Sequence, residues 1–560
     1  LSDRIVVEVG RRGRLVVGEP FFVPGVPLVL DKRGVSEVRP GQLAVVAPRR
    51  GRARLEKALG PADSVDSVLD ALLEQEGLVE QYEPHDAPRP TLEGRVDLRE
   101  QLAFTIDPET AKDFDDAISV RQEGDGLRAW VHIADVSHFV PAGSPLDRGA
   151  ARRSFSAYVP GRVAPMLPPE LADDLCSLRP NQDRLCVTAE VPFDAELQPG
   201  EPTFYRSVIR SRERLTYGQA ERILGGKEQA ADAVVAGALR LAERLALELR
   251  RRRFARGALR ITTREIVFAF DGAGGVERAW LESEPHAHLL IEELMILANE
   301  AVGGLLAGRR REALYRVHER PDPTAISLLL AKLAELEVPT PPAPEAERLA
   351  PGQAAKLAGD ISERVSEYIE SSGRGVEAFP ALVLRALKQA RYDPKNLGHS
   401  GLASPAYCHF TSPIRRYPDL VCHRALLREL GAADEQPADD LDDLAEHASA
   451  RERAIAEVEH RADDICLAWL LEAVLYERGW ETTFAGEITG VIGSGLFARF
   501  GDVFEGYLPV RKLSGYFELN DLATALVGRR GGRRFRLGDP IEVKVTDIDR
   551  PAGKIEIALP

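Results

Sequence analysis

Three kinds of hydrophobic patterning divide this chain. Over residues 1–60 short apolar runs alternate with Gly, Pro and charged turns: IVVEVG, GRLVVG, PLVL and QLAVVAP. Their period of two predicts short strands, which suits a small barrel or the sheet of a winged helix. Residues 64–77 switch to a helical period, with Ser64 as cap and Val68, Leu69, Leu72 and Leu73 as the apolar stripe. The Pro-rich polar segment 84–94 reads as a linker. Beyond it, AISV, AWVHIADV, CVTAEVPF and SVIRS predict strands, and helical periods follow over 219–256, 286–307, 344–370, 376–391, 416–430 and 441–478. From residue 482 the pattern returns to a five-strand alternation punctuated by glycine, the periodicity of an OB-type barrel. The expected organisation is a multidomain α/β protein: a small β-rich N-terminal module with its linker (1–94), a large mixed α/β domain (95–478) and a C-terminal OB-type barrel (482–560).

Composition narrows the class. With 44% hydrophobic and 29% charged residues, the 560-residue chain is ordinary for globular domains. A net charge of −15 argues against nucleic-acid binding through bulk charge and leaves room for local basic tracks. Five scattered cysteines without a CxxC fit free thiols in a reducing cytosol, so a cytoplasmic location is expected. The absence of a long apolar run predicts no membrane partner.

Candidate chemistry concentrates at residues 105–120, TIDPETAKDFDDAISV. Asp107, Asp113, Asp115 and Asp116 fall within ten positions, just before an apolar strand. On an extended segment Asp113 and Asp115 share one face and Asp116 takes the other. Two like charges about 4 Å apart repel by roughly 4 kcal/mol at an effective dielectric of 20. Such acids splay into water, take up protons or hold a cation, and oxygen-only ligation suits magnesium or manganese.

In the second stretch, 409–424 (HFTSPIRRYPDLVCHR), Thr411 or Ser412 is placed to cap a helix with Pro413 in its first turn. Arg415, Arg416 and Arg424 then lie on early turns, where they either meet phosphate or pair with neighbouring acids. Tyr158, between a Ser-rich turn and a Pro-rich stretch, and Tyr217, just before a helix, are stacking or packing residues. In HAHLLIEELMILANEAV (286–302) Glu292 and Glu293 sit beside a core stripe, and one of them turns inward. His286 and His288 lack the i, i+4 spacing of a zinc pair. In the last module Phe497, Arg499, Phe500 and Phe504 on strands, with Arg529, Arg530, Arg533, Arg534 and Arg536 in one loop, read as a single-strand nucleic-acid platform. Arg49, Arg50, Arg52 and Arg54 form a basic turn that either touches phosphates or is solvated.

Together TIDPETAKDFDDA, SAYVPGRVAPMLP, LIEELMILAN and HFTSPIRRYPDLVCHR resemble the signatures of the ribonuclease II / ribonuclease R family, over roughly residues 95–475. The last 80 residues resemble the S1-type RNA-binding domain of that family. The resemblance implies an RNB catalytic domain and a processive 3′-to-5′ exoribonuclease acting on single-stranded RNA as a monomer and releasing nucleoside 5′-monophosphates. It implies that Asp107, Asp113, Asp115 and Asp116 hold two magnesium ions, manganese being an alternative, and that Arg415 contacts the phosphate near the scissile bond. It further implies that Tyr158 stacks on the RNA near its 3′ end, and that Tyr217 and one of Glu292 and Glu293, with Glu293 preferred, place the terminal nucleotide. The sequence departs from the family at the N-terminus, where about 90 residues hold one small module instead of two cold-shock barrels, and at Ile261, where members often carry an aromatic residue. An RNA-binding protein on an inactive nuclease scaffold is the competing expectation, and a magnesium-dependent nuclease acting on DNA is a third.

Overall fold

A computed structural model describes residues 4–31, 35–49, 52–79, 82, 84–85, 88–261, 264–282, 285–342, 350–432, 440–529 and 532–560. Its centre is a seven-stranded sheet in the order Glu213–Thr216, Phe104–Asp107, Asp116–Glu123, Gly126–Ala134, Asp183–Phe193, Thr203–Arg210 and Val96–Asp97. Alternation along these strands feeds two cores. Ile118 and Val120 point to the face covered by the helices Ala233–Ala255 and Pro285–Gly308, whereas Ala117 and Ala134 point to the face covered by Pro145–Arg153 and the start of Tyr417–Glu429. A sheet buried on both faces needs near-continuous apolar strands, which is why AWVHIADV carries so few charges.

The N-terminal module is a closed barrel, not a winged helix. Its five strands are Ile5–Arg12, Leu15–Pro20, Leu28–Leu30, Gln42–Arg49 and Arg52–Pro61, with the helix Val65–Gln75 capped by Ser64 packed on it. The basic turn is narrower than expected: Arg49 ends the fourth strand, Arg52 and Arg54 belong to the fifth, which pairs with it, and Arg50 lies outside the described residues. The C-terminal module is also a closed barrel, of Thr483–Ile492, Gly495–Phe500, Phe504–Pro509, Pro540–Asp549 and Lys554–Ala558. A three-stranded sheet, Phe517–Leu519, Ala525–Gly528 and Arg534–Arg536, interrupts it, so part of the expected arginine loop is a strand. Arg530 and most of the acidic stretch 433–444 lie outside the described residues.

One helix ties the modules together. Leu441–Arg478 runs 38 residues, about 57 Å at 1.5 Å per residue. Val458, Ala462 and Ile465 pack with the N-terminal barrel and its helix, and Leu467, Leu471 and Leu475 pack with the C-terminal barrel. The hairpin Ile266–Phe270/Val276–Leu281 wedges between the same two modules: Phe268 and Val276 touch both cores.

Three helical expectations shift. The pattern over 219–256 forms two helices, Tyr217–Leu224 and Ala233–Ala255, because Gly226 turns at φ +69° and Asp232 caps a new start. The pattern over 376–391 yields only Ala378–Arg385, since Arg391–Asp393 pairs with the strand Tyr315–Val317 and buries Tyr392. The helix expected to start at Thr411 or Ser412 starts at Tyr417, with Pro418 and not Pro413 in its first turn. Buried Asp419 accepts hydrogen bonds from the Ser412 backbone N–H (2.8 Å) and from Arg416 Nη2 (2.7 Å), closing residues 412–416 into a turn outside the helix. No described helix is long and apolar enough to cross a membrane, and all five cysteines are free and buried.

Candidate active site

The site forms where two adjacent strands of the central sheet meet a turn from a segment some 300 residues away. Asp107 ends the strand Phe104–Asp107 and Asp116 begins Asp116–Glu123. Between them the chain is pinned from below. Ser177 Oγ accepts from the Phe114 N–H (3.1 Å) and donates to the Lys112 carbonyl (2.6 Å), while the Ala134 N–H donates to the Asp115 carbonyl (2.9 Å). The loop therefore presents its carboxylates in fixed and separate directions, instead of the simple two-faced alternation expected of an extended segment.

Three of the four acids have a partner of their own. The Thr105 hydroxyl donates to Asp107 Oδ2 at 2.6 Å. Tyr158 Oη donates to Asp113 Oδ2. Asp115, 3% exposed, accepts from the Ile414 N–H at Oδ1 (2.9 Å) and from Arg415 Nε at Oδ2 (3.2 Å). Burial, then the charge of Asp116, pushes the Asp107 carboxyl up to about 7 against the pull of the Thr105 hydroxyl. Burial pushes Asp116 up to about 6 although Arg415 and Arg416 oppose it, and burial drives Asp115 well above the carboxylate range.

Oxygen-only donors crowded until they resist ionisation are the chemistry a hard divalent cation satisfies, so the residues fit such an ion. As they lie, no group of three or more His, Cys, Asp or Glu among the described residues is gathered to hold a metal. Hydroxyls and a guanidinium meet three of the four carboxylates.

The second signature is also joined through its backbone to the segment that carries Tyr158. The Ser156 N–H donates to the Arg415 carbonyl (2.9 Å), and the Tyr417 N–H donates to the Ser154 carbonyl (2.8 Å). Arg415 thus stands between Asp115 and the Tyr158 segment, with 45% of its side chain exposed. Tyr158 is 37% exposed, and its N–H donates to Glu459 Oε1 at 2.7 Å. Burial and the neighbouring Asp113 push its hydroxyl above the ordinary tyrosine range.

Tyr217 arrives by strand register. Glu213–Thr216 runs parallel to Phe104–Asp107 and pairs Thr216 with Asp107, so the next residue emerges beside the acids. Thr216 also caps the following helix in a capping box with Gln219. The Tyr217 ring stacks on His288 at 3.8 Å and 15°, and burial followed by Asp116 and Asp107 raises its hydroxyl.

Other expected contacts are corrected. Glu293 is 1% exposed and locked to Arg253, while the Glu292 side chain is 57% exposed; of the two, only Glu292 is accessible from solvent. Arg416 is held by Asp419, and Arg424 by Asp147 and the Val140 carbonyl, so neither is a free phosphate contact. In the C-terminal barrel the alternation sends Leu496, Ala498 and Phe500 inward and leaves Phe497 and Arg499 half-buried on the outer face, with Phe497 against Tyr507 at 5.1 Å. Phe500 and Phe504 are core. Arg499 lies 3.9 Å from both Glu377 and Glu505. Arg533 and Arg534 are exposed, the former over the Phe535 ring at 4.9 Å, whereas Arg529 pairs with Glu518 and Arg536 with Asp539. Nothing local in the sequence marks Glu459, His288 or Asp419 as the residues that fix Tyr158, Tyr217 and the Arg415 turn, since each meets its partner through the fold.

Comparisons with known proteins bear on this arrangement. The RNB domain family matches residues 95–432, more than half of the chain. Ribonuclease R of Escherichia coli (strain K12) is 36% identical over 492 residues, covering 85% of this chain and 58% of that protein. Ribonuclease R of Aquifex aeolicus (strain VF5) is 33% identical over 561 residues, covering 95% of this chain and 77% of that protein. The chain thus spans less than two thirds of the Escherichia coli relative. Among solved structures, Mycoplasma genitalium RNase R in complex with ribose methylated single-stranded RNA superposes with a TM-score of 0.88 at 26% identity, over 100% of this chain and 89% of that one.

Proposed function

This chain belongs to the RNB domain family, and on that footing we propose that it is a divalent-metal-dependent 3′-to-5′ exoribonuclease that degrades single-stranded RNA processively to nucleoside 5′-monophosphates. The observation that carries the proposal is the junction of the two signatures, in which Asp115 receives hydrogen bonds from the Ile414 N–H and Arg415 Nε. It brings an acid cluster and a half-exposed guanidinium to one spot beside two aromatic rings. The same arrangement explains the division of labour. Asp107, Asp113, Asp115 and Asp116 would hold two magnesium ions, and Asp115 would also orient Arg415. Bound divalent ions supply Lewis acidity for an attacking water and for the leaving 3′ oxygen of an in-line displacement. The Arg415 guanidinium offsets charge building on the phosphate. Tyr158 offers a ring to a base near the 3′ end, and Tyr217, backed by His288, offers a second.

A digest of end-labelled RNA and DNA oligomers, with and without magnesium, tests this. The expected result is a ladder receding from the 3′ end of RNA, abolished by a chelator. Binding without cleavage supports an inactive scaffold instead, and equal loss of DNA supports a nuclease indifferent to the sugar.

Two further outcomes are expected at the RNA contacts. Tyr158→Ala is expected to change the length of the shortest product with less effect on the initial rate, because stacking of roughly 1–3 kcal/mol per base matters most when few nucleotides remain. Tyr158→Phe, which keeps the ring, is expected to retain the parental product length; identical end products from the alanine variant would make the residue a packing group. In the C-terminal module, replacing Arg533 and Arg534 with alanine is expected to flatten the log–log salt dependence of RNA binding by about 0.7 for each lost phosphate contact. Point variants are preferable to deleting the barrel, which would expose Leu467, Leu471 and Leu475 of the long helix. An unchanged slope would remove these arginines from the RNA path.

A further inference from the structure

The hairpin Ile266–Phe270/Val276–Leu281 has two unlike faces. Ile266, Phe268, Ala279 and Leu281 pack into the cores of the flanking modules. Strand alternation puts Val267, Arg278 and Trp280 on the opposite face, with Val267 and Trp280 directly paired. Continued past the hairpin's open end, that face carries Glu265 and Glu282, which are joined by the Glu282 N–H to Glu265 carbonyl bond of 2.9 Å. Both acids lead to the active site. Glu282 Oε1 lies 2.9 Å from His288 Nε2, and His288 stacks on Tyr217. The charge of Glu265 acts on Glu459, which holds the Tyr158 backbone. The base of the hairpin therefore sits between the two site tyrosines. At about 3.3 Å per residue Trp280 lies roughly 7 Å farther out along the same face, and Arg278 roughly 13 Å.

The outward residues form a ready platform. The Arg278 guanidinium lies 4.5 Å from the centre of the Trp280 ring and makes no ion pair among the described residues. Trp280 also borders a cleft of about 350 Å³ at the edge of the contact between the hairpin and the C-terminal barrel, lined by Arg264, Ala279, Leu281, Gly501 and Asp502. The acids around the hairpin base, Glu265, Glu282, Glu459 and Asp463, repel phosphate, so grip on an approaching strand falls to stacking and to the cation beyond them.

We infer that Trp280 and Arg278 form an upstream RNA subsite, in which the indole stacks on a base and the guanidinium meets a phosphate before the strand reaches Tyr158. The inference rests on the RNA-degrading reading above. It is tested by binding RNA oligomers to the full chain with a chelator present, so that binding is read without hydrolysis. Trp280→Ala is expected to weaken binding of an oligomer of about 12 nucleotides roughly five- to a hundredfold. An oligomer of about 4 nucleotides, filling only the site proper, is expected to bind as to the parent, and Trp280→Phe is expected to restore most of the loss. Arg278→Ala, at an exposed position, is expected to flatten the salt dependence for the longer RNA by about 0.7. Equal weakening at both lengths, or parental affinity of Trp280→Ala for the long oligomer together with an unchanged Arg278→Ala slope, overturns the subsite. A parent protein that binds neither RNA overturns the functional reading beneath it, a distinguishable result.

Discussion

Asp115→Asn is expected to lower turnover by at least about 10²–10³-fold while leaving RNA affinity intact or slightly improved. Asp115 is the acid that joins the two signatures, through Ile414 and Arg415. Asparagine has nearly the same shape, so the Ile414 contact survives if the amide oxygen takes that place. The charge does not survive. Its loss frees Arg415 from its only carboxylate contact shorter than 4 Å among the described residues and removes a negative group facing the phosphates. A gel-resolved cleavage rate and a binding titration in one magnesium buffer measure both effects. Cleavage within tenfold of the parent would remove the acid cluster from the catalytic centre. Loss of both cleavage and binding would indicate misfolding, which circular dichroism detects.

Glu293→Ala is expected to destabilise the protein by about 3–5 kcal/mol, the cost of leaving a buried cation without its partner. Arg253 and Glu293 side chains are 6% and 2% exposed, and the guanidinium also bonds both Glu293 oxygens from Nε at 3.2 Å. Burial pushes the Glu293 carboxyl up despite that partner. The neighbouring change Glu292→Ala removes a 3.1 Å contact from an exposed carboxylate, so it is expected to stay within about 0.5 kcal/mol of the parent. Urea denaturation of the two variants side by side provides the comparison, and equal midpoints would show that the buried pair contributes nothing. The contrast also separates roles: a nucleotide contact at this helix predicts altered kinetics for Glu292→Ala in a protein of parental stability.

Periodicity carried much of the architecture. The helix read over 441–478 is observed as Leu441–Arg478, and that over 286–307 as Pro285–Gly308, because long amphipathic periods leave a strong local signal. The strand Arg52–Pro61 was hidden because arginines at alternate positions look like a solvated turn until a neighbouring strand accepts their backbone. The start at Tyr417 was hidden because it depends on Asp419 reaching back to Ser412 from inside the helix. Both are cases of tertiary hydrogen bonding overriding local preference.

By itself the sequence determined the chemistry on offer: four acids in ten positions, an arginine pair beside prolines, tyrosines in polar turns, a strand-rich N-terminal module and a barrel pattern at the C-terminal end. Those are properties of residue type and local spacing, and they are complete before folding. Only the tertiary structure decided which groups meet. Asp115 and Arg415 stand 300 positions apart, Tyr158 and Glu459 301, and Arg253 and Glu293 40. It also chose Glu292 over Glu293 as the exposed member of its pair, and it put His288 under Tyr217. The physical reason is that a side chain's partner and burial are fixed by packing among distant elements, whereas its capacity to bind a proton, a cation or a base belongs to the residue itself.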